Sequence, residues 1–374
     1  MTETATVAIQ AREEDFSAAT PWQLMVWRFQ SHRVAMIGGV VVAVFFMAAL
    51  FAPFLAYADP QASEAHRGLI SPQPIYFFDN GAFRPHVLRL TGRRDPATLQ
   101  RVYTPDPTQK IPLRLFAEGF EYDFLGILTT NRHLIGLEGM SAEEGLALLG
   151  TDVQGRDIFS RLLYGTRISM TIGLVSVALS LVLGVLLGGL SGLYGGAVDN
   201  VIQRVIEILR SIPTIPLWMG LAAALPREWS VVQVYFAITI IISLIGWTDL
   251  ARVVRGRFLS LREEEFVLAA ELAGCSRPRI IFSHLVPNFL SHIIAATTLA
   301  VPAMILTETS LSFLGIGLRP PAISWGVLLS QAQNVQTVAL SPWLLLPAVP
   351  VITIVLAFNF LGDGLRDAAD PYGI

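Results

Sequence analysis

The sequence predicts an all-α integral membrane protein with six transmembrane helices and a small external lobe of α/β character. Two observations favour this class. Of the 374 residues, 53% are hydrophobic and only 15% are charged, and the mean hydropathy is +0.56. Several apolar windows also reach the roughly 20 residues that a helix needs to cross a bilayer. A soluble globular domain would not carry such windows in series.

The composition excludes several kinds of site. Cys275 is the only cysteine, so the chain has no intrachain disulfide and no cysteine-based metal site. Lys110 is the only lysine, and the residues around it are not those of a P-loop. The sequence therefore predicts no ATPase site of its own, no catalytic residue, no metal site and no bound cofactor.

The first predicted span runs from Val34 to Leu55 and follows a cytoplasmic segment, residues 1–33. Basic residues just before the span, including Arg28 and Arg33, favour a cytoplasmic amino terminus by the positive-inside rule. Residues 56–58, Ala-Tyr-Ala, look like a signal-peptide cleavage site, so a cleaved signal is the alternative. The long apolar run favours a retained span.

Residues 56–167 form the predicted external segment. Aromatic and aliphatic residues alternate there with turn signals such as Asp79-Asn80-Gly81, so a small strand-containing lobe is predicted, with a long ordered loop as the alternative. Near residues 156–167 the pattern predicts an interfacial helix on the outer membrane surface. The apolar face of that helix consists of Ile158, Phe159, Leu162 and Leu163, and the opposite face carries Arg156, Arg161 and Arg167.

Residues 168–374 form a predicted helical core with five further spans. The third span of the chain is the least regular, because Pro213 and Pro216 interrupt it and charged residues precede it. It is retained as a kinked span, since without it the arginine-rich loop at 252–288 would lie outside the cell, against the positive-inside rule. Six spans leave both termini in the cytoplasm. The five core spans are 168–194, 212–225, 231–250, 289–311 and 343–361.

Three glycines in the second span, Gly184, Gly188 and Gly192, recur at four-residue intervals. Such a row allows another helix backbone to approach closely, although glycine is also simply common in membrane helices. Three glycines in register favour a packed interface. They are therefore candidate pathway or helix-interface residues.

The predicted cytoplasmic loop begins with a short helix. Phe266, Ala269 and Ala270 fall at helical spacing, and acidic residues crowd the first turn, where they oppose the positive end of the helix dipole. One interpretation is an amphipathic helix resting on the membrane surface. The adjacent alanines favour the other interpretation, a helix that docks closely in a protein groove, because they bury little area in lipid.

A sharp bend and a second short helix follow. Gly274 suits the left-handed position that ends a helix, and Ser276 suits the cap of the next one. Pro278 is tolerated in a first helical turn, and Pro287 is expected to close the second helix.

This loop resembles the EAA loop of binding-protein-dependent ABC permeases, whose pattern is Glu-Ala-Ala, three residues, Gly, and then Ile-x-Leu-Pro further on. Ala269, Ala270, Gly274 and Pro287 match that pattern. Leu268 stands where the family usually has Glu, so the contact of that Glu is not carried over. In the family this loop is the coupling helix, which seats in a cleft of the ATPase subunit. The resemblance implies ATPase coupling through residues 263–288.

Three further segments resemble dipeptide and oligopeptide permeases, in the same order along the chain. They are LGTDVQGRDIFSRLLYGTRISMTIG (149–173), GLYGGAVDNVIQR (192–204) and ETSLSFLGIGLRPPAISWG (308–326). The resemblance implies the type I ABC importer permease fold and a multi-pass location in the bacterial inner membrane. It also implies four kinds of partner: a second homologous permease, one or two ABC ATPase subunits that use ATP and Mg, an external solute-binding protein, and membrane lipid. No nucleic-acid partner is implied.

The implied pathway lies at the interface with the partner permease. Glu308, Asn359 and the proline-broken third span are candidate lining groups, because polar residues at membrane depth usually face protein or water. Glu308 fits the outer membrane boundary equally well. The family moves peptides, and relatives move nickel, opines or oligosaccharides. A stand-alone secondary transporter or a membrane scaffold is the alternative from another class, although few intramembrane acids are present for ion coupling.

Overall fold

The computed structural model describes residues 21–94, 96, 101–124, 126–138, 146–226, 228–288 and 290–369. Residues 1–20 of the predicted amino-terminal segment and Phe289, at the start of the fifth predicted span, lie outside these ranges. The helices are α1 (Pro21–Ser31), α2 (Arg33–Leu50), α3 (Ala52–Leu55), α4 (Ile158–Tyr194), α5 (Gly196–Ser211), α6 (Thr214–Ala223), α7 (Val231–Leu261), α8 (Glu265–Leu272), α9 (Arg277–Arg279), α10 (Val286–Asn288), α11 (Leu290–Phe313), α12 (Trp325–Leu329), α13 (Val335–Leu340) and α14 (Ala348–Ala369).

Five helical stretches of the described chain are long and apolar enough to cross a membrane. They are Arg33–Leu50, Ile158–Tyr194, Val231–Leu261, His292–Phe313 and Pro342–Ala368. A sixth candidate is the pair α5 and α6, whose axes meet at 87°. The predicted all-α membrane class is confirmed, with five continuous spans and one bent pair.

The helices α4 and α7 run parallel, so the chain that connects them must cross back along their length. Gly184 lies against Leu250, and further along both helices Gly192 lies against Phe258. The connecting chain must therefore return over the length of the pair, and α5 and α6 make this return. α6 has ten residues, about 15 Å, which is half of a bilayer core. The break falls at Pro213, which lacks an N–H and restricts the residue before it.

Residues 156–167 are the start of α4, and the predicted interfacial helix is therefore wrong. Asp157 caps α4, and the helix continues without a break through 37 residues. Arg161, which was expected at the membrane surface, is only 1% exposed. Its guanidinium donates to the Pro60 carbonyl at 2.8 Å and lies 3.8 Å from Asp152. Protein surrounds this arginine because the segments before α4 fold back over the helix end.

A buried polar cluster joins the segment before α4 to the segment after α12. Asp152 accepts hydrogen bonds from Arg156 Nε at 2.7 Å and from Gln331 Nε2 at 3.1 Å. Close by, the Tyr57 hydroxyl donates to Asp157. Burial raises the pKa of the Asp157 carboxyl to about 6, against the lowering effect of its hydrogen bonds. The cluster fixes the ends of the spans on this side, which we call the lobe side.

The predicted external segment contains an antiparallel meander in the order β1-β2-β3-β4. The strands are β1 (Tyr76–Asp79), β2 (Ala82–Arg94), β3 (Arg101–Phe124) and β4 (Leu128–Leu137). At the predicted turn, Asn80 and Gly81 have φ of +49° and +81°, as a tight hairpin requires. The strand-containing lobe is confirmed. In its described part a β-sheet dominates, and one short 3-10 helix at Ala65–Arg67 precedes the sheet.

The two larger apolar clusters of the bundle lie at its opposite ends. The larger one packs around Trp325, which is fully buried and lies edge-on to Phe45 at 6.0 Å between ring centroids. The second one lies at the opposite end of α4 and α7, which we call the termini side, and includes Phe258, Val267 and Ile281. The second cluster positions the loop between α7 and α11.

Candidate functional site

The short helix α8 has a buried inner face. Val267 is fully buried and Ala270 is 7% exposed, and both pack with Phe258 and Ile281. Residues three apart lie on the same helical stripe, so Val267 and Ala270 turn inward together. The prediction that Ala270 lies on a docking face is therefore wrong. Ala270 instead seats α8 on the end of α7.

The opposite side of α8 is apolar and exposed. Leu272 is 90% exposed, Leu268 is 47% exposed and Phe266 is 39% exposed. Ala269, predicted for a docking face, is exposed among them. We call these four residues the α8 outer face. Sequence reasoning missed the two leucines, although their spacing of four residues places them on one stripe.

Gly274 ends α8 in the conformation expected from the sequence. Its φ is +76°, and an added Cβ would meet no atom within 4 Å. The Cys275 N–H donates to the Ala270 carbonyl at 3.0 Å, and the Gly274 N–H donates to the Glu271 carbonyl at 2.9 Å. These are the two bonds of a Schellman motif. Glycine is favoured here by the backbone angle, and not by lack of space.

The second part of the loop is longer than predicted. Ser276 occupies the cap of α9, but its side chain makes no capping hydrogen bond, and Pro278 lies in the first turn as expected. Pro287 does not close the helix. A π-helical stretch at Ile280–Leu285 leads into α10, which contains this proline. The wider turn accommodates a residue that lacks an N–H and crowds the preceding turn.

Arg277 ties the loop to the end of α4. Its Nη1 donates to the Leu193 carbonyl at 2.9 Å, and its guanidinium lies over the Tyr194 ring at 5.2 Å from the centroid. A carboxylate oxygen of Glu271 lies 3.7 Å away. These contacts join α8 and α9 to α4, while the inner face of α8 joins them to α7. A displacement of α8 would therefore act on both helices.

The glycine row of α4 makes the close helix contact expected of it, but with α7 of the same chain. A Cβ added at Gly188 would meet the Ala251 carbonyl oxygen and lie 2.8 Å from the Ala251 Cα. At Gly184 it would lie 2.9 Å from the Leu250 Cβ. Gly192 likewise meets the backbone of α7. The row is a helix interface within the chain, so these glycines are not available to line a pathway.

Glu308 is fully buried inside the chain, so the prediction that it lines the pathway is wrong for this structure. Its carboxylate accepts hydrogen bonds from Ser169 Oγ at 3.0 Å and from Ser312 Oγ at 2.8 Å. The Trp325 backbone N–H donates to the same Ser169 hydroxyl at 3.1 Å. Glu308 thus connects α4, α11 and α12. Asn359, the other polar candidate, is half-buried on α14.

The bent pair α5 and α6 keeps its candidate residues at the surface. Pro213 and Pro216 are both exposed. Asp199, near the start of α5, forms an ion pair with Arg255 of α7, with 2.5 Å between Asp199 Oδ2 and Arg255 Nη2. This ion pair fixes the start of α5.

No group of three or more His, Cys, Asp or Glu suited to a metal ion is present in the described ranges.

Comparison with known proteins assigns the chain to a family. The family model described as "Binding-protein-dependent transport system inner membrane component" matches residues 180–372, just over half of the chain. The chain belongs to this family. A second model, the N-terminal transmembrane domain of oligopeptide transport permease C, matches residues 20–72. The chain is therefore a permease subunit of a binding-protein-dependent ABC importer, and a multi-pass membrane protein.

Two relatives and one solved structure illustrate the similarity. The chain is 46% identical to the oligopeptide transport system permease protein OppC of Escherichia coli (strain K12) over 223 residues, which is 59% of this chain and 71% of OppC. It is 38% identical to the dipeptide transport system permease protein DppC of Alkalihalophilus pseudofirmus over 237 residues, 63% of this chain and 74% of DppC. An inward-facing structure of the MetNI methionine ABC transporter gives a TM-score of 0.44 at 19% identity, covering 56% of this chain and 97% of that one.

Proposed function

We propose that the permease forms half of a pathway that imports peptides, paired with a second homologous permease. ABC ATPase subunits dock on the α8 outer face and drive transport, and an external solute-binding protein delivers the peptide. The similarity to proteins named oligopeptide and dipeptide permeases supports this solute class. ATP and Mg belong to the ATPase subunits in this proposal, and the permease itself is not an enzyme.

The exposure of the apolar α8 outer face is the main support for the proposal. An apolar residue such as Leu272, 90% exposed on a loop bordered by acidic and basic residues, indicates a surface that a partner covers. The face is small and rigid, because Val267 anchors it to α7 and Arg277 anchors it to α4. Docking at this face would therefore move the ends of two spans together.

The orientation follows from arginines on the termini side. With six crossings, both ends of the described chain lie on the same side as α8. The positive-inside rule is read on short loops, since a long translocated segment such as the lobe carries basic residues regardless. The end of α7 and the short loop between α7 and α11 hold many arginines and no lysine. These arginines are Arg252, Arg255, Arg257, Arg262, Arg277 and Arg279. The positive-inside rule then assigns this side to the cytoplasm and the lobe to the exterior of the bacterial inner membrane.

The bent pair α5 and α6 is the part of the bundle that best suits the pathway interface. Pro213 and Pro216 interrupt it, and its charged residues Arg204 and Glu207 are exposed at 79% and 53% of their side chains. Exposed charge on a membrane-crossing element faces protein or water and not lipid. We expect the second permease, or the solute path beside it, to lie against this pair.

A matched pair of leucine variants tests the docking proposal. Leu272→Ser removes the most exposed apolar group of the α8 outer face, and Leu340→Ser removes a 65% exposed leucine on α13, on the lobe side. A leucine buried at an interface contributes about 1.5–3 kcal/mol, so Leu272→Ser should weaken ATPase binding about tenfold or more. ATPase co-purification and ATP-driven peptide uptake in proteoliposomes are the measurements. Normal binding and uptake in Leu272→Ser would contradict the proposal.

A further inference from the structure

The hairpin formed by β3 and β4 ends in an apolar turn. The sequence at the turn is Phe-Leu-Gly-Ile-Leu, residues 124–128, without a polar side chain. Ile127 is 87% exposed and Leu128 is 62% exposed. Hairpin turns in water are usually built from Gly, Asn, Asp, Pro and Ser, as at Asn80-Gly81 of the same sheet. The apolar turn therefore indicates a nonaqueous neighbour.

Contacts with the first span place this turn beside the end of that span. The Phe124 ring stacks on Phe51, the residue that follows α2, with 5.6 Å between centroids. Nearer the sheet, the ring of Phe116 lies 6.1 Å from that of Phe54. From Phe116 to Phe124, β3 therefore runs from the level of Phe54 to the level of Phe51, which is nearer to α2. The turn beyond Phe124 therefore lies beside the end of α2.

The apolar surface of the hairpin continues the lipid-facing surface of α2. Val40, Val44 and Met47 of this span are 60%, 59% and 53% exposed, as expected for side chains in contact with lipid. On the hairpin, Leu115 and Phe116 are also exposed, at 69% and 57%. One apolar surface therefore runs from the span through Phe51 and Phe124 to the turn.

A buried histidine holds the hairpin in this position. The His133 ring lies within hydrogen-bond distance of two carbonyl oxygens, that of Pro53 at 3.1 Å and that of Phe120 at 2.9 Å. His133 is 1% exposed. The base of the hairpin is thus fixed to the end of the first span, with the turn projecting from it.

We propose that the β3–β4 turn inserts into the lipid leaflet on the lobe side and seats the lobe on the membrane. Ile127 and Leu128 enter the upper acyl region, and Arg114 and Arg132 remain above it, paired with Glu138 and Glu118. Transfer of the two exposed aliphatic side chains from water into lipid is favourable, because it removes their apolar surface from water. The lobe would then have a fixed height beside the pathway mouth.

Single-cysteine spin labelling tests this proposal on the whole importer complex in lipid nanodiscs. In a Cys275→Ser background, a nitroxide is placed at Ile127→Cys and, as a control, at Thr91→Cys, an exposed site towards the far end of the β2–β3 ladder. Oxygen partitions into lipid, and a nickel–EDDA chelate stays in water. We expect a ratio of oxygen to nickel collisions that is several-fold higher at position 127 than at position 91.

Two results would overturn the proposal. Equal collision ratios at positions 127 and 91 would show that the turn lies in water. Low collision rates with both oxygen and nickel at position 127 would show that a protein partner, such as the second permease or the binding protein, covers the turn. The test does not depend on ATPase docking, since it reads only the position of the lobe.

Discussion

Gly188 and Gly274 show two different reasons for a glycine. At Gly188 the neighbouring helix leaves no room, because an added Cβ would lie 2.8 Å from the Ala251 Cα. At Gly274 there is open space, and the left-handed backbone with φ of +76° favours glycine. The sequence predicted both positions, because glycine spacing and a glycine after a helix are local signals. It could not predict that the Gly188 row meets α7 of its own chain.

A pair of alanine variants separates close packing from helix propensity. Gly188→Ala should destabilise the fold by about 1–3 kcal/mol, because it forces α4 and α7 apart. Gly256→Ala is the matched control on α7, where an added Cβ meets nothing within 4 Å. The control should be neutral or stabilising by up to about 1 kcal/mol. Thermal unfolding of the purified protein measures both, and equal midpoints for the two variants would refute tight packing at Gly188.

Glu308 marks the limit of prediction from single residues. A lone acid in an apolar span suggested a pathway group. In the structure, Ser169 and Ser312 donate hydrogen bonds to Glu308, and the Trp325 N–H donates to Ser169. These partners lie up to 156 positions apart in the chain. No local pattern brings them together, so the sequence could identify the polar group but not its surroundings.

At the scale of elements, the sequence predicted correctly that α8 is a helix but predicted its buried and exposed faces wrongly. Helical spacing placed Ala269 and Ala270 on one face, but the boundary between buried and exposed runs between them. Only Val267 and Ala270 touch the core, since α8 has just eight residues and rests on α7 by one stripe. A helix of two turns has too few apolar residues for its buried face to be read from periodicity.

Tryptophan substitution at these two neighbours tests the orientation. Ala269→Trp should leave the thermal stability of the permease unchanged but block ATPase binding, because the added ring projects from the α8 outer face. Ala270→Trp should lower the stability by about 1–3 kcal/mol or more, since it overpacks the cluster around Phe258. Stability is measured on the isolated permease, and ATPase binding on the complex. If Ala269→Trp destabilised the fold while Ala270→Trp did not, the assignment of faces would be reversed.

Longer elements were more predictable than short ones. The continuous spans carry an apolar signal over many residues, and the turn at Asn80-Gly81 carries a specific hairpin signal. The start of α4 was predicted to be an interfacial helix because its apolar face lies opposite three arginines, one of which is Arg161. The burial of Arg161 depends on the Pro60 carbonyl and on Asp152, which belong to other segments.

On the scale of the whole molecule, the parallel arrangement of α4 and α7 requires a return crossing between them. This supports the sixth crossing independently of hydropathy, which is weak for the bent pair. An even number of crossings puts α8 and both described ends on one side and the β-sheet lobe on the other. From the arginines of the short loop between α7 and α11, we expect the side of α8 to be the cytoplasmic one.

Cysteine labelling in intact cells tests this orientation. In a Cys275→Ser background, Arg89→Cys on β2 of the lobe should react with a membrane-impermeant maleimide, because it lies outside. Arg277→Cys at the start of α9 should react only after the cells are opened. The opposite pattern would invert the orientation and remove α8 from the cytoplasm.

Photocrosslinking from α8 in an actively transporting complex tests the docking of the ATPase most directly. A photoreactive phenylalanine replaces Leu272, the most exposed apolar residue of the α8 outer face, and in a control replaces Leu340 on the lobe side. The account predicts that position 272 crosslinks to the ATPase subunit and that position 340 does not. Crosslinking of position 272 to lipid alone, in a complex that still imports peptide with ATP, would contradict it.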